Sequence, residues 1–396
     1  MRIAHLMPGS GGAFYCENCL RDATLVRAMI RAGHDVSMIP MYLPPVGGDA
    51  EGLPGSGEMF FGGVNVYLQQ KFSIFRKTPR WFDRMFDSRK MLRWAGGKAS
   101  MTSTKDLGET TVSMLAGESG RQWKELRRLV QWLSLDANRP DVVVLSNVLL
   151  AGLAESIRKS LGVPVVCLLQ DEEGFVDSLG DDYSGKAWDA IRGCCGDIDL
   201  FISVSRYYAE IMRERLGLDE GKVRVINGGL DISEYDVSEI GPDVPVIGFL
   251  SQMCKAKGLG VLVDAFIALK SEDGLGDIRL KICGGKSGAD EEFIRGVREK
   301  LAGAGFLDDV EFVEGFEQSD RVRFLQGVSV VSVPERQAAA YGLYVIEANA
   351  VGVPVVQPDA GVFGELIEAT GGGVVYSGNT AEALAEALRE FLVDGK

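Results

Sequence analysis

Tyr341-Gly342-Leu343-Tyr344-Val345-Ile346-Glu347-Ala348-Asn349-Ala350, followed by Gly352-Val353-Pro354-Val355-Val356, is the stretch on which the fold turns. It reads as a glycine turn, a helix opening directly after it, and a buried strand of the parallel-sheet kind. Backbone N–H groups at the start of such a helix hold phosphate oxygens. One turn further on, Glu347 is a candidate to accept the two hydroxyls of a ribose. The pairing suggests a pocket for a nucleotide sugar.

The same rhythm extends outward from this stretch. Before it come strand Val246–Leu250, helix Gly260–Leu269, strand Ile278–Cys283, helix Glu291–Leu301, strand Val310–Val313, helix Asp320–Gln326 and strand Val328–Val333. After it comes a last helix, Thr380–Leu392, with Asn379 as its expected N-cap. The first half repeats the pattern with strands Ile3–Met7, His34–Pro40, Val142–Leu145, Val163–Leu169, Leu200–Val204 and Val223–Ile226. Continuous Val, Ile and Leu runs separated by helices predict an α/β chain of two doubly wound, Rossmann-like domains facing a cleft. Residues 1–235 form the first domain and 244–396 the second, with the acidic stretch Asp231–Pro245, carrying Gly241-Pro242, as linker. In such sheets ligands sit beyond the carboxyl ends of the strands.

Composition narrows the function classes. A chain of 396 residues exceeds one core, and a net charge of −14 argues against nucleic acid as a partner. No apolar run reaches the roughly 20 residues of a membrane span. The chain opens on a strand without signal-peptide architecture, so a cytoplasmic location is expected. Cysteines at 16, 19, 167, 194, 195, 254 and 283 are odd in number and read as free thiols. Cys16-Glu17-Asn18-Cys19 is a CxxC that admits a redox pair, a zinc half-site or plain packing. The only histidines are at 5 and 34, so no second ligand pair stands at zinc spacing and no metal site is expected.

Residues 44–135 interrupt the alternation and read as an insertion, largely helical. Residues 71–98 hold nine Lys and Arg against two Asp, interleaved with Phe72, Phe75, Trp81, Phe82, Phe86 and Trp94. That composition fits a flap over apolar surface with snorkelling Arg stems, or a lid that touches an acceptor or a membrane surface.

Several motifs, taken in order, resemble the retaining nucleotide-sugar glycosyltransferases of family 4, which have the GT-B fold. These are Gly11-Gly12 with Gly33-His34-Asp35-Val36, Val204-Ser205-Arg206-Tyr207, Val225-Ile226-Asn227-Gly228-Gly229-Leu230-Asp231, Lys257-Gly258, Cys283-Gly284-Gly285, and Val333-Pro334 with Tyr341-Gly342-Leu343 and Glu347. The resemblance implies transfer of a hexose, with retention, from a nucleoside-diphosphate sugar to an acceptor that is a sugar, a lipid or a small molecule. It implies donor contacts from Gly11, Gly12, Lys257, Gly284, Tyr341, Gly342, Leu343 and Glu347, charge stabilisation by Lys257, and no metal or other cofactor. Three positions depart from the family pattern. Ala339 stands where the first Glu of a two-Glu signature is expected, Gln252 where an Arg is, and Gln170 where a His is frequent. Gln252 keeps a hydrogen-bond donor without the charge. Gln170, Asp171 and Glu172 are the candidate acceptor contacts.

Two readings follow: a glycosyltransferase, or a catalytically silent relative that binds a nucleotide sugar or a protein partner. A dinucleotide dehydrogenase is disfavoured. Gly9, Gly11 and Phe14 miss the Gly-x-Gly-x-x-Gly spacing, and Ile39-Pro40-Met41 ends the second strand without an acid for an adenine ribose.

Overall fold

The computed structural model describes residues 1–9, 15–42, 53–55, 60–61, 69–70, 104–237 and 241–393. Gly11, Gly12 and the basic-aromatic segment 71–98 lie outside them. The chain divides into two compact units. One comprises Met1–Gly11 and Asn18–Asn227, the other Gly12–Glu17 and Gly228–Lys396.

In the first unit the strands are β1 (Arg2–Met7), β2 (Asp35–Pro40), β3 (Val142–Leu145), β4 (Val165–Leu169), β5 (Leu200–Ser203) and β6 (Val223–Val225). They form one parallel sheet in the order β2-β1-β3-β4-β5-β6. Its helices are α1 (Glu17–Arg31, whose first residue groups with the other unit), α2 (Thr104–Leu115), α3 (Trp123–Leu133), α4 (Ala154–Leu161), α5 (Glu173–Asp177), α6 (Asp181–Cys194) and α7 (Arg206–Leu216). Ile3, Met7, Ala23, Val26, Val36, Met38, Val144 and Leu168 bring β1, α1, β2, β3 and β4 into one core cluster. Helices α2 and α3 fall within the expected insertion. Glu125, on α3, is buried and accepts from Gln69 Nε2 at 3.0 Å.

In the second unit the strands are β7 (Val246–Leu250), β8 (Arg279–Cys283), β9 (Val310–Phe312), β10 (Val330–Val331), β11 (Val355–Pro358) and β12 (Gly373–Tyr376). The helices are α8 (Leu259–Lys270), α9 (Glu291–Ala304), α10 (Gln318–Gln326), α11 (Leu343–Ala350), α12 (Phe363–Thr370) and α13 (Ala381–Val393). The parallel sheet runs β12-β11-β10-β7-β8-β9. Every residue of β7 is buried, as its continuous apolar run requires. Strand order reverses between β7 and β10. Their carboxyl ends are therefore the topological switch point, where doubly wound sheets bind ligands.

The structure differs from the sequence reading at the linker and at the cap of the last helix, and several strands are shorter than expected, among them Val330–Val331 and Val165–Leu169. The units divide at Asn227–Gly228, ahead of the expected linker. Tyr235, inside that stretch, is buried rather than solvated because its hydroxyl reaches a buried carboxylate, Glu347 Oε1, 2.5 Å away. Thr380, not Asn379, caps α13, its Oγ1 accepting from Ala383 N–H at 3.3 Å. The Asn379 amide is turned elsewhere, donating to the carbonyl of Glu335 at 2.7 Å and lying 3.4 Å from that of Pro334.

Candidate functional site

Two loops leave the switch point of the second unit. The one after β7 carries Gln252 and Lys257 and ends at Gly258, which enters α8. The one after β10 carries Pro334 and Glu335 and leads to Gly342 and α11. They cross at close range. A Cβ on Gly258 would stand 1.8 Å from the Pro334 carbonyl oxygen, and φ there is +77°, so only glycine fits. The Arg336 N–H donates to the Ala256 carbonyl at 2.9 Å, a second tie between the same loops.

That crossing sets Lys257 against Glu335. The ammonium donates to Glu335 Oε2 at 2.7 Å and stands 3.6 Å from Glu17 Oε1. Glu335 is buried, and its other oxygen accepts from Tyr344 Oη, on α11, at 2.9 Å. The first amide of α11, Leu343 N–H, donates to Glu17 Oε2 at 2.8 Å. Gly342 caps the helix, and the largely buried Tyr341 ring reaches Gly228, where a Cβ would lie 2.4 Å from its hydroxyl. Lys257 and the amide at the start of α11 therefore meet at one carboxylate.

Glu347, one turn into α11, is fully buried. Its Oε1 accepts from Arg321 Nε at 2.8 Å and Tyr235 Oη at 2.5 Å, and its Oε2 from Tyr15 Oη at 2.7 Å. Burial, then the Glu347 charge, pushes both phenols far above the usual tyrosine range, so both act as donors. The Tyr15 N–H also donates to the carbonyl of Gly284 at 2.7 Å. Gly284 itself, at φ +129°, packs where a Cβ would stand 2.1 Å from the Ser251 carbonyl oxygen.

Gln252 donates from Nε2 to Asp290 Oδ2 at 2.8 Å, the same oxygen that accepts from Ser287 N–H and Oγ. Ala339 is buried, and its backbone backs directly onto Gly361, where a Cβ would lie 2.5 Å from the Ala339 oxygen. Ser251 Oγ, Ser332 Oγ and Gln357 Nε2, at or near the carboxyl ends of β7, β10 and β11, are buried without a hydrogen-bond partner among the described residues.

In the first unit the strand order also switches, between β1 and β3, and a buried polar cluster lies by it. Asp22 of α1 accepts from Ser146 Oγ at 2.5 Å and Gln170 Nε2 at 2.8 Å, with His5 Nε2 at 3.5 Å. Burial opposes ionisation of Asp22, but His5, Arg21 and Ser146 outweigh it and hold its carboxyl below the ordinary range. Gln170 follows β4 directly, and its carbonyl accepts from Asn18 Nδ2 at 3.0 Å. Glu172 is turned inward. Its Oε1 takes Val148 N–H at 3.0 Å, and its Oε2 takes Gln170 N–H at 2.7 Å and Tyr208 Oη at 2.7 Å. Both of its oxygens brace the fold, so of the three residues read as acceptor contacts, only Asp171 is exposed, at φ +71°.

The structure thus gathers Lys257, Leu343, Gly284 and Glu347 around Tyr15 and Glu17, and places Gln252 on Asp290. Sequence reasoning missed Glu335, Arg321, Tyr15, Glu17 and Tyr235. Arg321 carried a legible signal: it lies on the face of α10 that bears Phe324 and Leu325, three and four residues on, and a charge there needs a partner. The seven cysteines form no disulfide. Among the described residues no cluster of three or more metal-ligating side chains occurs, and no helix is long and apolar enough to cross a membrane.

Comparison with known proteins bears on the family and the fold. Residues 233–396 match the family described as Glycosyl transferases group 1, and residues 109–234 match Glycosyltransferase Family 4. A D-inositol 3-phosphate glycosyltransferase from Corynebacterium urealyticum is 28% identical over 200 residues, 47% of each chain. The alignment thus spans about half the length of that relative. Sucrose-phosphate synthase from Thermosynechococcus elongatus shares the fold with a TM-score of 0.71 at 16% identity, covering 100% of this chain and 90% of that one. The Anabaena protein HepE, solved with UDP and glucose, does so with a TM-score of 0.66 at 15% identity, over 99% and 90% of the two chains.

Proposed function

We propose, from the premise that the chain belongs to glycosyltransferase family 4 with the GT-B fold, that it transfers a hexose with retention from a nucleoside-diphosphate sugar to a hydroxyl acceptor. The observation that carries this reading is the meeting of the Lys257 ammonium and the Leu343 amide at one anion, Glu17, beside the β7/β10 switch point. In the reaction the bond between the sugar C1 and the diphosphate oxygen breaks. The acceptor oxygen bonds to C1 on the same face and passes its proton to the departing diphosphate oxygen. The departing diphosphate gathers negative charge, and a fixed ammonium and oriented amide stabilise it. Such a donor contributes about 3–4 kcal/mol to a transition state.

Within this reading Glu347 faces the ribose, and Gly284 and Tyr341 line the nucleotide. Gln252 replaces a second cation by a neutral amide, Asp171 is the remaining candidate on the acceptor side, and Gly11 and Gly12 are candidates for the donor phosphates. Charge is met by protein groups rather than by a metal or another cofactor. The HepE complex with UDP and glucose supports UDP-glucose as the first donor to try. The acceptor is a sugar, a lipid or a small molecule, and the segment 71–98 is the candidate for peripheral contact at the cytoplasmic membrane face.

The test is to titrate UDP-, GDP- and ADP-glucose by calorimetry and to follow release of the nucleoside diphosphate with an acceptor panel. Saturable binding and acceptor-dependent release support the transferase. Binding without release across the panel favours a silent module, and no binding of any nucleotide removes both.

A further inference from the structure

We propose that Tyr15 and Glu17 are specificity-determining residues of the donor pocket: in the resting protein they occupy, as a phenol and a carboxylate, the groups a nucleoside diphosphate must take over. The inference rests on the donor-pocket reading above and goes beyond it. Glu17 holds the Leu343 amide at 2.8 Å and stands 3.6 Å from the Lys257 ammonium. Tyr15 donates its hydroxyl to Glu347 at 2.7 Å and its N–H to the Gly284 carbonyl at 2.7 Å. One tripeptide therefore touches the anion donors, the ribose acid and the glycine turn together. The two residues are at most about 7 Å apart along the chain. Neither contact is a surface accident, since Tyr15 is 3% exposed and the Glu17 side chain 12%.

The chemistry of each occupant mirrors one part of the ligand. A carboxylate on an ammonium and a helix-start amide stands in for a phosphate oxygen. A phenol donating to a buried carboxylate stands in for a ribose hydroxyl. Exchange is charge for charge at Lys257, which Glu335 already partners at 2.7 Å. A ligand that brings an anion replaces what Glu17 supplied. A nucleoside brings hydroxyls alone, and displacing Glu17 gains it nothing. The apparent affinity of any phosphate-bearing ligand is its intrinsic affinity scaled by the fraction of protein in which Glu17 has left the site.

The experiment compares the parent with Glu17→Gln and Glu17→Ala, the second guarding against a glutamine that keeps the amide contact. Dissociation constants for UDP, inorganic pyrophosphate and uridine are measured by calorimetry on the full chain, with thermal unfolding to verify the fold. Both variants are expected to bind UDP and pyrophosphate about tenfold more tightly while uridine affinity stays put, so the UDP-to-uridine ratio rises. If the parent binds UDP and both variants bind it equally or more weakly, the occupant role is overturned while the donor pocket stands. If uridine affinity rises as much as that of UDP, selection by the anion is overturned. If none of the proteins binds UDP or pyrophosphate, the donor-pocket reading fails and this inference falls with it.

Discussion

Replacing Arg321 by Leu tests the electrostatic centre of the second unit. Glu347 has no exposure and, among the described residues, takes hydrogen bonds from two phenols and from one cation, Arg321, at 2.8 Å. Breaking a buried pair by removing one partner costs about 3–5 kcal/mol, because the remaining charge stays desolvated. The phenols of Tyr15 and Tyr235 remain, and each hydrogen bond to a charged group retains about 1.5–3 kcal/mol. The guanidinium also gives up its bond to the Phe316 carbonyl at 2.9 Å. The lower part of the range, about 3 kcal/mol, is therefore expected for Arg321→Leu. Glu347→Gln in the same background removes the stranded charge. The double variant should then be at least 1 kcal/mol more stable than the sum of the two single losses. Urea unfolding, followed by tryptophan fluorescence and by circular dichroism, measures all four proteins. The two probes also show whether the units unfold together. A loss below about 1 kcal/mol for Arg321→Leu, or strict additivity in the cycle, would refute a coupled buried pair.

Two other outcomes are expected. Lys257→Ala should weaken nucleoside-diphosphate binding by about 1.5–3 kcal/mol, or roughly ten- to hundredfold, by calorimetry; an unchanged constant removes Lys257 from the site. Glu173 should shape the pH profile of stability. Burial, and then the Asp171 charge, pushes its carboxyl from 4.5 to about 7. Between those values the folded chain keeps a proton that the unfolded chain has lost. Stability from this group therefore falls as pH rises from about 4.5 to about 7 and stays lowered above. Partial exposure trims the cost below the full shift, so Glu173→Gln should add about 1–2 kcal/mol at pH 8 and nothing near pH 4. Urea midpoints at the two pH values check it, and equal gains at both would refute the assignment.

The sheets were legible because their strands are unbroken apolar runs. Val246–Leu250 and Val142–Leu145 stand in the structure with the bounds that their composition predicts. Helix α12 and strand β12 were not, since Gly371-Gly372-Gly373 reads as a break while Val374 and Val375 make only a short edge strand. Helices α5 and α6 were hidden by Gly174, Gly180, Gly185 and Gly193 within an acidic, weakly periodic stretch. Lys257 was found through the family resemblance, and Leu343 because a glycine turn opens its helix. Their partners were not, for a geometric reason. Glu347 draws on Tyr15, 332 residues away, and on Tyr235, 112 residues away. Spacing along a chain says nothing about contacts of that range, whereas the misplaced charge on the apolar face of α10 did announce that some acid had to answer it.

The crossing of Gly258 beneath Pro334 has a mechanical consequence. With no room for a methyl group between the two strand exits, they behave as one riveted piece. Lys257 and Glu335 are mounted on either side of that rivet. The backbones that carry ammonium and carboxylate are thus held side by side, which narrows the search that two long side chains must make to meet. On the donor-pocket reading, the loops that bear the charges come already joined, and an incoming ligand need only unseat an occupant, not bring the two loops together.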